Sequence, residues 1–204
     1  MSFSTRHSSP EPPLSRASLV IGLYGAMALV GLLIAAGRGN PDLYGISTAP
    51  GWLLLASPAV GVGVGILVVL LTRVAARYFQ WARDLHASFR DLLGTLTGRE
   101  IVILAVASSI GEEMLFRGAL MPWLGVPWQA LVFALLHVGP NKRFLPWTAS
   151  AFVLGVAFGL LADVTDNLGA PIAAHFTINF LNLRYIVAHE PPGAVKLPPA
   201  TSAA

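Results

Sequence analysis

The sequence contains no cysteine among its 204 residues, which excludes disulfide bonds, thiolate metal sites and a cysteine nucleophile. Charge is also scarce, because Asp, Glu, Lys and Arg make up only 11% of the chain, whereas a soluble domain carries about 25%. Hydrophobic residues make up 55%, and the mean hydropathy is +0.68. These values predict an all-α fold, a polytopic membrane helix bundle, with no sizeable domain outside the membrane.

Apolar segments of about 20 residues, the length that crosses a bilayer, predict about six transmembrane helices. They cover residues 17–36, 51–71, 100–120, a short stretch from 127 to 137, 144–162 and 171–187. A cleaved signal peptide is the alternative for the first segment, but its apolar run exceeds the ~7–15 residues of a signal peptide and favours a retained helix. Pro122 and Pro127 predict a break in the helix between the third and fourth segments.

Residues 72–98 differ from these segments because their arginines and aspartates alternate with aromatic and aliphatic side chains. This pattern predicts a basic amphipathic helix that lies at the headgroup boundary with its aromatic side towards the lipid. The alternative is a connecting helix with one solvated face. Either helix is expected to be structural rather than catalytic.

The predicted segments divide the chain into four parts. Residues 1–16 form a disordered cytoplasmic tail, 17–98 two spans and the interfacial helix, 99–187 a membrane core, and 188–204 a Pro-rich polar tail. With an even number of spans, eleven of the 13 Lys and Arg residues lie on the side of the two termini. The positive-inside bias therefore predicts that both termini are cytoplasmic. The net charge of +3 reflects this topology, so no nucleic-acid partner is expected.

Three ionisable residues, Glu112, Glu113 and Arg117, interrupt the apolar sequence of the third segment. Each costs about 2.5–3.5 kcal/mol at the bilayer centre, so a cluster of them indicates a function. Glu113 and Arg117 have the spacing of an ion pair on one helix face. Glu112 lies about 100° round the helix and is free to act as a general base. The alternative is a packing network in which both glutamates serve the arginine.

Further polar side chains occur in the later segments. His137 lies at the end of the fourth, where an ordinary interfacial histidine is the alternative to a catalytic one. His175 and Asn179 share one face of the sixth and are able to donate two hydrogen bonds to an oxyanion; the alternative is an interhelical hydrogen bond. At ~1.5 Å per residue, Glu112, His137 and His175 reach similar depths and are expected to meet in the middle to outer half of the bilayer.

These residues form three motifs in chain order: Glu112-Glu113-x-x-x-Arg117, Phe133-x-x-x-His137 and His175-x-x-x-Asn179. The set resembles the CPBP family, which comprises CAAX prenyl endopeptidases and bacteriocin-processing or Abi-type proteins. The resemblance covers roughly residues 99–185 and makes 99–187 a CPBP-like catalytic core. It implies hydrolysis of a peptide bond within the membrane.

The resemblance also implies a role for each residue. Glu112, helped by His137, activates a water as general base, and the oxyanion is stabilised by His175 and Asn179. Glu113 and Arg117 hold these groups in place.

No cofactor is expected, with zinc as the alternative, because relatives of this kind have been described as metalloproteases and glutamate and histidine are zinc ligands. A HExxH helix is absent from the sequence, since His189-Glu190 is followed by two prolines. The membrane serines lack the GxSG of rhomboids, and Asp163 and Asp166 lack the GxGD of aspartyl intramembrane proteases.

The sequence therefore predicts a glutamic-type intramembrane endopeptidase whose partners are the lipid bilayer and a membrane-protein or peptide substrate. Its short, Ala-, Gly- and Arg-rich chain suits a bacterial inner-membrane protein. Bacterial relatives suggest C-terminal sorting or anchor tails as the substrate. The alternatives are a non-catalytic membrane immunity or scaffold protein and, less favoured without a visible inverted repeat, a proton-coupled carrier.

Overall fold

A computed structural model describes residues 15–190. Most of the predicted tails at 1–16 and 188–204 lies outside the described residues. Between residues 15 and 190 the chain is helical and contains no strand. The helices are α1 (Arg16–Gly37), α2 (Gly51–Tyr78), α3 (Gln80–Leu93), α4 (Gly98–Glu113), α5 (Met121–Leu135), α6 (Leu145–Thr165) and α7 (Gly169–Ala188). A π-helical segment, Met114–Leu120, joins α4 to α5, and a 3₁₀ turn, Lys142–Phe144, precedes α6.

Four stretches of the described chain are long and apolar enough to cross a membrane: Arg16–Gly37, Gly51–Tyr78, Gly98–Leu135 and Lys142–Thr165. The predicted all-α membrane bundle is confirmed. The predicted segments at 100–120 and 127–137 fall largely within one of these stretches, and the segment at 171–187 lies in α7, which is not among the four. The helix that follows Gly125 is about 15 Å long, half of what a bilayer needs. Helix α7 carries polar residues that lower its hydropathy, and it packs against α2, α4 and α6. The protein is a helical membrane bundle with a polar helix in its interior.

Helices α4 and α5 form a hairpin that reverses at Gly125. This residue has φ 71° and ψ 170°, a conformation that costs glycine little and other residues much. The rings of Phe116 and Phe133 meet at a centroid distance of 5.0 Å. Glu112 on α4 also lies opposite His137, which follows the end of α5. Both pairs are symmetric about the reversal, as an antiparallel hairpin requires.

The break that Pro122 and Pro127 predict occurs between them, at Gly125. Pro122 lies in the first turn of α5, and Pro127 lies two residues after the reversal. A proline in the first turn of a helix removes an N–H group that would have no helical partner. The chain turns back because of the glycine between them.

The predicted amphipathic helix at 72–98 is shorter in the structure, where α3 covers only Gln80–Leu93. Helix α2 continues to Tyr78, and the extended residue Phe79, with φ −116° and ψ 132°, separates the two helices. Arg73 belongs to α2 and donates to the side-chain oxygen of Asn182 on α7 at 2.9 Å. Tyr78, Phe79 and Trp81 are exposed. The placement of α3 at the headgroup boundary stays a prediction.

Small residues bring α7 and α4 close to their neighbours. A side chain at Gly61 would collide with the backbone of Ala170, and one at Gly65 with Thr177 and with the backbone of Ala174. The weak GxxxG pattern of α2 thus marks its contact with α7. On the other side of the bundle, α1 crosses α4 at Gly111, where Tyr24 occupies the space of a side chain. These crossings place α1, α4 and α7 around the polar residues.

Candidate active site

The EExxxR motif lies where α4 passes into the π-helical segment. Glu112 is 6% exposed, Glu113 0% and Arg117 2%. Arg117 Nη1 donates to Glu113 Oε1 at 3.0 Å, so the ion pair that the spacing predicts is present. Short π-helical segments are frequent at functional sites, because the wider turn changes which side chains share a face.

Arg117 is held in place by more than its ion pair. Its Nη2 donates to the carbonyl of Gly155 at 3.2 Å, and its guanidinium lies 4.5 Å from the ring centre of Phe133. The buried side chain of Gln129 donates to the same carbonyl through Nε2 at 2.9 Å. The Arg117 guanidinium is therefore fixed inside the bundle by its ion pair, by the aromatic ring and by the Gly155 carbonyl.

His175 is oriented by Glu113. The distance from His175 Nδ1 to Glu113 Oε1 is 2.7 Å. A carboxylate paired with arginine accepts hydrogen bonds, so Nδ1 carries the hydrogen and donates it. His175 Nε2 then points towards the second carboxylate, 3.7 Å from Glu112 Oε2. The ion pair thus sets the tautomer and the direction of the histidine.

His137 is oriented by backbone. Its Nδ1 lies 2.7 Å from the carbonyl oxygen of Phe133, which only accepts, so Nδ1 donates. Its Nε2 lies 3.8 Å from Glu112 Oε2. The ring packs on Phe133 at 4.2 Å and on Trp147 at 5.1 Å between centroids. The predicted meeting of Glu112, His137 and His175 occurs in the structure.

Three basic atoms therefore converge: Glu112 Oε2, His137 Nε2 and His175 Nε2. Glu112 Oε2 is buried and has no hydrogen-bond partner among the described residues. Separations of 3.7 and 3.8 Å are too long for direct hydrogen bonds and suit a bridging water. In their neutral forms, both imidazoles offer Nε2 as an acceptor. The arrangement is able to hold a water and take a proton from it.

The same three residues have the donor chemistry of a zinc site. Within residues 15–190, however, no group of three or more His, Cys, Asp or Glu side chains is arranged to hold a metal ion. The residues as placed do not fit zinc.

Asn179 lies one turn after His175 and is fixed by a serine. Its Nδ2 donates to Ser108 Oγ at 3.0 Å, and Ser108 is itself buried on α4, one turn before Glu112. One amide hydrogen of Asn179 is used in this contact. The other remains available to a substrate.

Sequence reasoning missed three residues of the site: Ser108, Gln129 and Tyr24. The phenol of Tyr24 faces the Glu112 carboxylate from α1, in a part of the chain that the motifs do not cover. It is the only aromatic residue of α1, and Gln129 is a buried amide in an apolar helix. Those are the signals that could have drawn attention to them.

Comparison with known proteins shows that the segment containing the site is similar to a known family. Residues 96–181 match the family model described as type II CAAX prenyl endopeptidase Rce1-like. The uncharacterized protein YpbD of Bacillus subtilis strain 168 is 30% identical over 123 residues, which cover 58% of this chain and 63% of YpbD. The chain thus spans less than two thirds of that relative's length. No solved structure matches the chain.

The matched segment contains the six residues that the motifs single out: Glu112, Glu113, Arg117, His137, His175 and Asn179. Residues 96–181 are therefore similar to the Rce1-like family of type II CAAX prenyl endopeptidases, in agreement with the resemblance that the three motifs carry.

Proposed function

We propose that this protein is an intramembrane endopeptidase that hydrolyses a peptide bond of a membrane-associated protein or peptide. The observation that carries the proposal is the buried Glu112 Oε2, faced by His137 Nε2 at 3.8 Å and His175 Nε2 at 3.7 Å. The similarity of residues 96–181 to an endopeptidase family supports the same reaction.

Glu112 acts as the general base in this proposal. Its Oε2 takes a proton from the bridging water while the water oxygen attacks the carbonyl carbon of the substrate. His137 Nε2 accepts a hydrogen bond from the second water hydrogen and so orients the attack. The C=O electron pair moves to oxygen, and the proton on Glu112 passes to the leaving nitrogen as the peptide bond breaks.

His175 and Asn179 stabilise the oxyanion. The free amide hydrogen of Asn179 is one donor. Because Nδ1 of His175 already donates to Glu113, its Nε2 donates only when the imidazole is protonated. The Glu113 carboxylate stabilises that positive charge, and Arg117 holds the carboxylate in position. No metal ion takes part in these steps.

Ser108→Ala is expected to lower kcat about tenfold with little change in KM, because Asn179 loses the acceptor that orients its amide. Ser109→Ala is the matched control, since the Ser109 hydroxyl donates only to the carbonyl of Val106. Steady-state cleavage by both variants is the measurement, with Ser108→Thr, which keeps the hydroxyl, expected to restore activity. Equal activity of the two alanine variants would remove Ser108 from the site.

The proposed location is the bacterial inner membrane, with both termini in the cytoplasm. In this orientation the α1–α2 loop is external and α3 is cytoplasmic. Because the chain has no native cysteine, Ile46→Cys in the loop and Asp91→Cys in α3 are clean probes. In intact cells, an impermeant thiol reagent is expected to label the first variant only. Labelling of Asp91→Cys alone would reverse the orientation.

C-terminal sorting or anchor tails of membrane proteins are the proposed substrates. The burial of Glu112 and His175 among membrane-length apolar helices supports a peptide bond that lies in or near the membrane. The test compares membrane-protein C-termini in wild-type cells, in cells lacking the gene, and after its restoration. Tails that persist only without the gene are expected. If no tail persists, this substrate class is wrong, and a non-catalytic scaffold becomes the better account.

A further inference from the structure

Helix α1 lies outside residues 96–181, the segment similar to the endopeptidase family, but it packs along α4 and the π-helical segment. A side chain at Gly111 on α4 would meet the carbonyl oxygen of Tyr24 at 2.6 Å, and one at Gly31 would meet that of Met114 at 3.1 Å. Helices approach this closely only where one of them lacks a side chain. Tyr24 and Gly31 lie about two turns apart on one face of α1. That face is therefore fixed against the EExxxR motif.

Tyr24 contributes the polar group of this face. From Leu19 to Gly37 it is the one polar side chain of α1, and it is half-buried. A phenol in apolar surroundings requires a hydrogen-bond partner. The hydroxyl of Tyr24 is directed, as a hydrogen-bond donor, at the carboxylate of Glu112, the residue that follows Gly111. The helix crossing therefore brings a single hydroxyl to the general base.

The other side chains around Glu112 do not supply a donor in the resting site. Nδ1 of His137 donates to a backbone carbonyl, and Nδ1 of His175 donates to Glu113. Nε2 of each neutral imidazole therefore faces Glu112 Oε2 as an acceptor. Arg117 donates to Glu113 and to backbone instead. A buried carboxylate is costly to ionise without a donor, so the Tyr24 hydroxyl supplies what the base requires.

We propose that Tyr24 is a positioning residue for peptide hydrolysis. Its hydroxyl donates a hydrogen bond to the ionised Glu112 carboxylate and holds that group so that Oε2 faces the bridging water. The phenol keeps its own proton throughout the reaction. The inference rests on the proposed function, because it concerns the general base of that reaction.

Tyr24→Phe removes the hydroxyl and keeps the ring. We expect kcat of the purified full-length protein to fall about tenfold with KM unchanged, because Glu112 remains but is less well oriented. Tyr78→Phe is the matched control, since the Tyr78 side chain is 67% exposed at the end of α2. Its kcat should equal that of the wild type. A rise in KM alone in Tyr24→Phe would mean that the phenol contacts the substrate, and it would overturn the inference.

A spectroscopic readout does not depend on cleavage. Solid-state NMR of protein labelled with ¹³C-glutamate reports the carboxylate carbon of Glu112 in bilayers, and Glu112→Gln assigns its resonance. We expect Tyr24→Phe to shift this resonance at constant pH, because a hydrogen bond to a carboxylate changes the electron density at its carbon. Tyr78→Phe should leave it in place. An unshifted resonance in Tyr24→Phe would overturn the inference. A shifted resonance in a protein whose wild type cleaves no substrate would instead count against the proposed function.

Gly111→Ala tests the same contact from the other helix. The added methyl group meets the Tyr24 carbonyl oxygen, so α1 must move away from α4. We expect kcat to fall at least as far as in Tyr24→Phe, and the double variant to lose nothing more, because the hydroxyl has already left the carboxylate. Gly25→Ala on α1 has open space around its new methyl group and is the control. A further tenfold loss in the double variant would contradict the shared contact.

Discussion

Glu112→Gln is expected to abolish cleavage while leaving the bundle folded. Glutamine has nearly the same shape but does not accept a proton from water, and general-base catalysis contributes roughly 10²–10⁴-fold. We therefore expect kcat to fall by at least about 10². The fold should tolerate the change because Glu112 is not the partner of the buried arginine, which binds Glu113. Steady-state cleavage and thermal unfolding of the purified protein in detergent are the two measurements.

Glu100→Gln is the matched control for this experiment. Glu100 is on the same helix, but its carboxylate caps the N-terminus by accepting from Thr97, a role that glutamine also fulfils. Its activity should equal that of the wild type. Removal of zinc by a chelator should likewise leave cleavage unchanged, since the proposed mechanism uses no metal. Full activity of Glu112→Gln would contradict the mechanism and favour a non-catalytic membrane protein.

Glu113→Leu is expected to destabilise the protein by about 3–5 kcal/mol, because it leaves the buried Arg117 without its counter-ion. The double variant Glu113→Leu, Arg117→Met removes both charges and should recover most of this loss. It should remain inactive, because His175 Nδ1 no longer has the carboxylate that orients it. Equilibrium unfolding in mixed detergent measures the first effect, and peptide cleavage measures the second.

An exposed arginine provides the control for charge removal as such. Arg143→Met, before α6, should change stability by less than about 0.5 kcal/mol. If Glu113→Leu were equally mild, the buried ion pair would not hold the fold. If the double variant regained activity, Glu113 would not position His175.

Much of the site could be predicted because charges are rare in this chain. A buried carboxylate needs a partner, and the helical spacing leaves Arg117 as the partner of Glu113. Glu112 was then the free carboxylate, and the scarcity of other polar residues in the later segments indicated His137 and His175. Apart from Asn179, which shares a helix face with His175, neutral polar residues give no such signal. Ser108 and Tyr24 serve the site only because α7 and α1 are the neighbours of α4, which spacing along one helix does not reveal.

The differences between the predicted and observed helices have a common origin in local backbone effects. Pro122 and Pro127 are strong helix breakers in general, yet both occupy first-turn positions that tolerate them. The unremarkable Gly125 between them sets the reversal, through a positive φ that composition does not disclose. Similarly, α2 continues beyond its apolar residues, because Arg73 donates a hydrogen bond to α7. Whether a polar residue ends a membrane helix depends on what the bundle places beside it.

Because of the π-helical segment Met114–Leu120, the relative positions of the functional groups depend on the number of residues between them as well as on which residues they are. Each residue added to or removed from a helix rotates everything after it by about 100°. A deletion within the segment that restored regular α-helix would rotate α5 about the helix axis relative to α4. His137 would then point away from Glu112 even though every side chain of the three motifs was retained. Comparisons between relatives should therefore treat the number of residues between Glu113 and Gly125 as part of the motif.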